Sequence, residues 1–120
     1  MATVEDISAV LDALPDGALI VSLEGRVLLA NASLERISGF PPLRIVGKPV
    51  EFLVPDAHRE VHVRQRTGFF LAPAVRPMNT GIDTKLLGSD GEEIAVEIHI
   101  SPIEWEGRSA VLAVVRPAAD

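Results

Sequence analysis

The stretch LLGSDGEEIAVEIHISPI, residues 86–103, decides the fold, because it has the clearest periodicity in the chain. Its second half alternates between apolar residues and a more polar set, the apolar ones being Ile94, Val96, Ile98 and Ile100. A period of two predicts a strand with one buried face. Ser89-Asp90-Gly91 supplies turn residues just before it, so residues 78–88 and 92–103 are predicted to form a hairpin.

Three more strands are predicted on either side of this stretch. RSAVLAVVR, residues 108–116, follows a Glu106-Gly107 turn and is apolar on both faces, which is typical of a central, covered strand. Near the N-terminus, ALIVSL (18–23) and RVLLAN (26–31) surround Glu24-Gly25 and indicate a second hairpin. Five antiparallel strands are therefore expected.

Helices are predicted before and between the two hairpins. Residues 1–14 begin with a capping box at Thr3 and carry an apolar stripe, so they form a short amphipathic helix. Asn31 is placed to cap a helix that ends at Gly39. Prolines and glycines allow only short helical turns in 41–55, and a longer helix is expected from Asp56 to about Leu71. The order indicates an α+β domain.

Composition and charge exclude several functional classes. The 120 residues suit one domain, 48% of them are hydrophobic, the net charge is −6 and there is no cysteine. Disulfides and thiolate chemistry are therefore excluded, and no dense basic stripe suggests nucleic-acid binding. No apolar stretch could span a membrane, and the acidic N-terminus is not a signal peptide, so a cytoplasmic protein is expected. Ser38 and Ser101 have no identifiable base nearby, and no enzyme is predicted.

The segments 14–40, 47–55, 86–104 and 114–116, in this order and spacing, resemble the PAS domain family. The resemblance spans about residues 12–117. It implies a curved five-stranded antiparallel sheet with short helices and one longer helix on one face, around an internal cavity. The N-terminal helix (1–14) would precede a PAS domain (15–117), and residues 118–120 would begin a linker to an effector. That effector could be a kinase, a phosphatase, a cyclase or a stress-response sigma-factor control module.

A ligand-binding cavity is the main functional expectation. Alternation along the strands and the helix spacing assign a mostly aliphatic lining, which favours a small apolar, fatty-acid-like molecule over a polar one. Its polar end would lie near His62, Gln65 or Arg66. The alternative is a ligand-free interior filled by its own side chains. The proposed ligand-binding residues are Leu19, Val21, Leu28, Leu34, Ile37, His62, Arg66, Phe69, Ile82, Leu86, Val96, Ile98 and Val115.

Other cofactors fit the sequence less well. Flavin-binding members of the family use polar amides at positions that correspond to Leu86, Val96 and Val115, and the light-sensing ones also need a cysteine. In haem-binding members the axial histidine corresponds to His62, but the distal arginine corresponds to Ile82. Haem with His62 as its ligand is thus kept as an alternative.

His58 and His62 lie one helical turn apart, which is suitable geometry for a metal. Glu60 is on a different side of the helix and no third ligand is identified, so no metal site is predicted.

A homodimer is also expected. The apolar stripe of the N-terminal helix needs a surface, and the last strand offers Leu112 and Val114 on its outer side. The helix could cover this outer face in its own chain or in a partner, and the resemblance implies dimerisation through the same elements.

Overall fold

The computed structural model describes residues 3–60, 62–63 and 84–118. The helices are α1 (Val4–Asp12), α2 (Ala32–Ser38) and α3 (Pro42–Ile45), followed by 3-10 helices at Val50–Leu53 and Asp56–His58. The strands are β1 (Gly17–Ser22), β2 (Val27–Ala30), β3 (Thr84–Leu87), β4 (Glu93–Trp105) and β5 (Arg108–Pro117). The predicted α+β class is confirmed.

The strands form one antiparallel sheet in the order β2-β1-β5-β4-β3. The strand predicted to be central, β5, lies in the middle and pairs with both β1 and β4. Both predicted hairpins are present. The first turn is longer than predicted, because β1 ends at Ser22 and β2 starts only at Val27.

Side-chain caps define where α1 and α2 begin. Thr3 and Asp6 form the predicted capping box of α1, each side chain bonding the other's backbone N–H. Asn31 Oδ1 accepts from Leu34 N at the start of α2, which ends at Gly39 in the left-handed conformation. Of the longer helix expected from Asp56, residues 59–60 and 62–63 are helical, and the remainder lies outside the described residues.

The sheet buries an apolar cluster on each face. We call the first the inner cluster; it packs under α2, α3 and the 3-10 helix Val50–Leu53, and it comprises Leu19, Val21, Val27, Ala30, Leu34, Ile45, Leu53, Leu86, Val96 and Val115. The outer cluster lies under α1 and comprises Leu11, Ala18, Ile20, Leu29 and Ala110, with partly buried Ile7, Leu14, Ile103, Trp105 and Leu112. The N-terminal helix therefore covers the outer face of its own sheet.

The expected placement of Leu28 on the inner face is wrong. The register between β1 and β2 shifts after Ile20, so that Val21 pairs with Val27. This bulge places Val27 and Ala30 in the inner cluster and leaves Leu28 exposed. An extra residue on one strand reverses the alternation beyond it, which strict period-two counting does not anticipate.

Candidate functional site

The inner face of the sheet brings together most of the predicted lining residues. Six of them are buried in the inner cluster: Leu19, Val21, Leu34, Leu86, Val96 and Val115. Ile37 and Ile98 pack against the same cluster and are partly buried. Three of the buried residues, Leu86, Val96 and Val115, are the positions that would have to carry amides for a flavin. Here they form a continuous aliphatic surface on adjacent strands.

Burial is uneven across this face. The β1 and β2 side is closely packed, with Leu19 at 3% and Val27 at 1% exposure. On the β4 and β5 side, Ile94, Ile98 and Ala113 are only partly buried. Ile100, which pairs with Ala113, is also partly buried. Partly buried apolar side chains therefore remain along β4 and the adjoining part of β5, interleaved with the fully buried Val96 and Val115.

Several residues of this face were not anticipated from the sequence. Ile45 of α3 is fully buried and Leu53 nearly so, although both lie in the proline-rich stretch where no periodic pattern identifies an inner side. Phe40 and Phe52 pack against the inner cluster, with ring centroids 4.9 Å apart at a tilted angle. Their aromatic character was the only available signal, since aromatic rings on short loops commonly pack into a core.

His62 lies beside the 3-10 helix Val50–Leu53. Its Nδ1 is 2.7 Å from Glu51 Oε2, and the Glu51 side chain is largely buried. Arg59 Nε donates to the carbonyls of Glu51 and Val54, and its guanidinium pairs with Asp56. This polar group fixes the start of the helical segment against the edge of the inner cluster. With Nδ1 directed to Glu51, Nε2 is the ring nitrogen through which His62 would meet a ligand.

The described residues, with the gaps at 61 and 64–83, include no group of three or more His, Asp or Glu side chains able to hold a metal ion. His58 is exposed, and His99 bonds Ser101 Oγ on the opposite face of β4. Within the same residues, no helix is long and apolar enough to cross a membrane. Four expected contact residues, Gln65, Arg66, Phe69 and Ile82, lie outside the described part of the chain.

The family model of the PAS fold matches residues 5–118. Among solved structures, the PAS domain of a Colwellia psychrerythraea protein is 18% identical with a TM-score of 0.78, covering 95% of each chain. The PAS domain of an HTR-like protein from Haloarcula marismortui is 19% identical, TM-score 0.78, over 95% of this chain and 90% of that one. The PAS domain of nitrogen regulation protein NR(II) from Vibrio parahaemolyticus is 20% identical with a TM-score of 0.71, over 98% of this chain and 100% of that one.

Proposed function

The chain belongs to the PAS family, and on this premise we propose that it binds a small apolar, fatty-acid-like ligand on its inner face as the sensory module of a larger signalling protein. PAS domains are generally sensory, non-catalytic modules. We further propose that the chain forms a homodimer in the cytoplasm and controls an effector that follows it.

The observation that carries the ligand proposal is the uneven burial of the inner face. Apolar side chains that are left partly exposed on this face favour an apolar guest, because covering them removes surface from water at about 25 cal/mol per Å². Ile94, Ile98 and Ala113 are such side chains, whereas Leu19 and Val21 are already covered by protein. We therefore propose that the ligand lies against β4 and β5.

A polar end of the ligand would extend toward the 3-10 helix Val50–Leu53. There, Glu51 and His62 provide a carboxylate and an imidazole that already contact each other. The second imidazole nitrogen of His62 and the Glu51 oxygens can hydrogen-bond a carboxyl or hydroxyl head group. The apolar chain would supply most of the binding energy.

A direct test measures binding of a fluorescent fatty acid, cis-parinaric acid, to the wild-type domain and two variants. Ala113→Phe places a large ring on the inner face, where it should occupy the ligand space. Val114→Phe is the matched control, because the neighbouring residue lies on the outer side, where it pairs with His99. We expect at least a tenfold weaker affinity for Ala113→Phe and a near-wild-type value for Val114→Phe.

The thermal unfolding of both variants is compared first, so that a loss of fold is not mistaken for a loss of binding. Equal affinities in all three proteins, or no measurable binding to the wild type, would contradict the proposal. In the latter case the inner face would be filled by its own side chains and the domain would act through protein contacts alone.

Haem is the second candidate, and the Glu51–His62 contact is the observation that favours it. A carboxylate that accepts from Nδ1 orients the imidazole and leaves Nε2 to meet the metal, as commonly occurs around metal-bound histidines. Adding haem to the purified protein tests this directly. A Soret band that is present in the wild type and lost in His62→Ala would support haem binding, and an unshifted spectrum of free haem would reject it.

A further inference from the structure

Three polar side chains join the end of α1 to the start of α2. They are Asp12, Asn31 and Ser33, and we refer to them as the α1–α2 joint. Asp12 Oδ1 accepts from Ala32 N at 2.8 Å. Ser33 Oγ donates to Leu14 O at 2.6 Å. The joint therefore contains hydrogen bonds from side chains of both helices.

Asn31 makes the largest share of these bonds and is completely buried. Its Oδ1 accepts from Ala18 N and Leu34 N, at 2.8 and 3.0 Å. Its Nδ2 donates to Leu11 O and Asp16 O, at 2.7 and 3.1 Å. One amide thus bonds the last turn of α1, the connection to β1, β1 itself and the first turn of α2.

Asp12 occupies a position that is unfavourable for α1 considered alone. It is the last residue of α1, where the helix dipole disfavours a negative charge, and the last turn has no basic residue to offset it. Aspartate is also a poorer helix former than alanine. The compensating interaction is with α2, because Asp12 Oδ1 accepts a hydrogen bond from the backbone N–H of Ala32, the first residue of that helix. Asp12 thus serves as a second cap of α2, contributed by α1.

The two helices lie on opposite faces of the sheet. Leu11 of α1 belongs to the outer cluster, and Leu34 of α2 belongs to the inner cluster. A displacement of α2 stretches or breaks bonds that also hold the end of α1. We propose that the α1–α2 joint couples the packing of α1 on the outer face to the position of α2 on the inner face. The coupling exists in the domain whether or not a ligand is bound.

Hydrogen exchange of the Asp12→Ala variant tests the joint, because the two explanations predict opposite signs. If Asp12 acts only within α1, alanine improves helix propensity and removes an unfavourable charge, so the amides of residues 4–14 exchange more slowly. If Asp12 holds the joint, those amides exchange about 2- to 12-fold faster, the change that corresponds to one lost hydrogen bond. Asp12→Asn keeps an acceptor oxygen and is expected to remain close to wild type.

Two further variants test whether the coupling runs in both directions. Ser33→Ala, on α2, should accelerate exchange in residues 4–14, although it lies outside that helix. Ile7→Ala, which weakens the contact of α1 with the outer cluster, should accelerate exchange in residues 32–38, because coupling between two elements is reciprocal. The acceleration that Ile7→Ala causes in residues 32–38 should be smaller when Asp12→Ala and Ser33→Ala are also present, as in a double-mutant cycle.

Exchange in β5 is the internal control for Asp12→Ala and Ser33→Ala and should change less than exchange in residues 4–14. Ile7→Ala also touches β5 through Ala110 and Leu112, so for that variant only α1 and α2 are compared. The proposal is overturned if Asp12→Ala and Ser33→Ala leave α1 unchanged or more protected, or if Ile7→Ala affects α1 alone. Equal acceleration in β5 would also overturn it, since the three side chains would then stabilise the whole domain and not the contact between two helices.

Discussion

Gly39 lies at the end of α2 with a backbone φ of 82°, a left-handed conformation that side chains disfavour. A Cβ at this position would also collide with Ser89 Oγ, in the turn that leads to β4. Ser89 N donates to Ser38 O at 2.8 Å, so this close approach is held in place by the backbone. Glycine at 39 therefore satisfies both a local and a tertiary requirement.

We expect Gly39→Ala to destabilise the domain more than Gly91→Ala. Gly91 has a φ of 84° but open space around its Cα, so its substitution costs only the conformational strain, about 1–2 kcal/mol. Gly39→Ala has the same strain, and its loss of unfolding free energy should be larger by about 1 kcal/mol or more, because Ser89 must be displaced. Urea denaturation of both variants measures the difference. Equal losses would mean that the contact with Ser89 relaxes without cost.

Glu24, in the turn between β1 and β2, predicts a pH dependence of stability. A hydrogen bond to its own backbone N–H, then one from Ser22 and the charge of Arg108, lower the pKa of this carboxyl. A pKa that is lower in the folded than in the unfolded state stabilises the fold above the unfolded pKa, and this contribution is lost as the pH falls through the folded pKa. The Glu24→Gln variant should therefore lose less stability than wild type between pH 6 and pH 3, measured by denaturation midpoints. Parallel curves for the two proteins would refute this.

Leu28 shows what residue-level patterns miss. Alternation along the strand predicts an inward position for Leu28, but the register shift beside Val21 leaves it exposed. The sequence VLLA offers apolar residues at every position, so any register would have looked acceptable. By contrast, the prediction for β4 was correct because charged and apolar residues alternate there, and a slip by one residue would bury Glu97.

At the scale of elements, the caps and the hairpins could be predicted from the sequence because their determinants are local. The capping box of α1 and the Asn31 cap of α2 each need residues within three positions. The surface against which α1 packs could not be predicted in the same way. Its apolar stripe would suit its own sheet or a partner equally well, and only the tertiary structure places Leu11 in the outer cluster.

The contribution of α1 to stability can be measured with a pair of adjacent substitutions. Leu11 is 8% exposed and Val10 is 65% exposed. Leu11→Ala should cost about 2–3 kcal/mol through lost burial and the cavity it leaves. Val10→Ala should stay within about 0.5 kcal/mol of wild type at a protein concentration at which the chain is monomeric. Chemical denaturation distinguishes them, and similar values for the two variants would mean that α1 contributes little to the folded state.

Considered as a whole molecule, the domain has an apolar surface that is suited to a second copy. Val4 and Val10 of α1 remain exposed while the rest of its stripe packs inward. Ile103 and Trp105, at the border of the outer cluster, are only partly buried. These side chains lie on or beside one helix, so a symmetric contact would bring two α1 helices together.

Light scattering coupled to size exclusion measures the proposed dimer. Val10→Glu adds a charge to the exposed side of α1 and should shift the mass toward the monomer without unfolding the chain. Leu43→Glu is the control, because Leu43 is even more exposed, at 93%, but lies on α3. A dimer that survives Val10→Glu, or a wild type that is monomeric at high concentration, would contradict dimerisation through α1.

The two hairpins and the central place of β5 agree with the sequence-based expectation, since turn residues and periodicity act at short range. The pairing of β1 with β5 joins distant parts of the chain and was not predicted. The inner site was predicted only in part. Ile45, Phe52 and Leu53 reach it from a stretch whose prolines fix short turns but give no period, so their burial depends on the tertiary fold.

Native mass spectrometry of the domain, purified without added ligand, measures whether an apolar ligand occupies the inner face. The sequence predicts a polypeptide of 12.9 kDa. We expect an additional mass in the range of a fatty acid, present in the wild type and in Val114→Phe but absent from Ala113→Phe. A bare polypeptide mass that persists after incubation with a mixture of fatty acids would contradict an apolar ligand on the inner face.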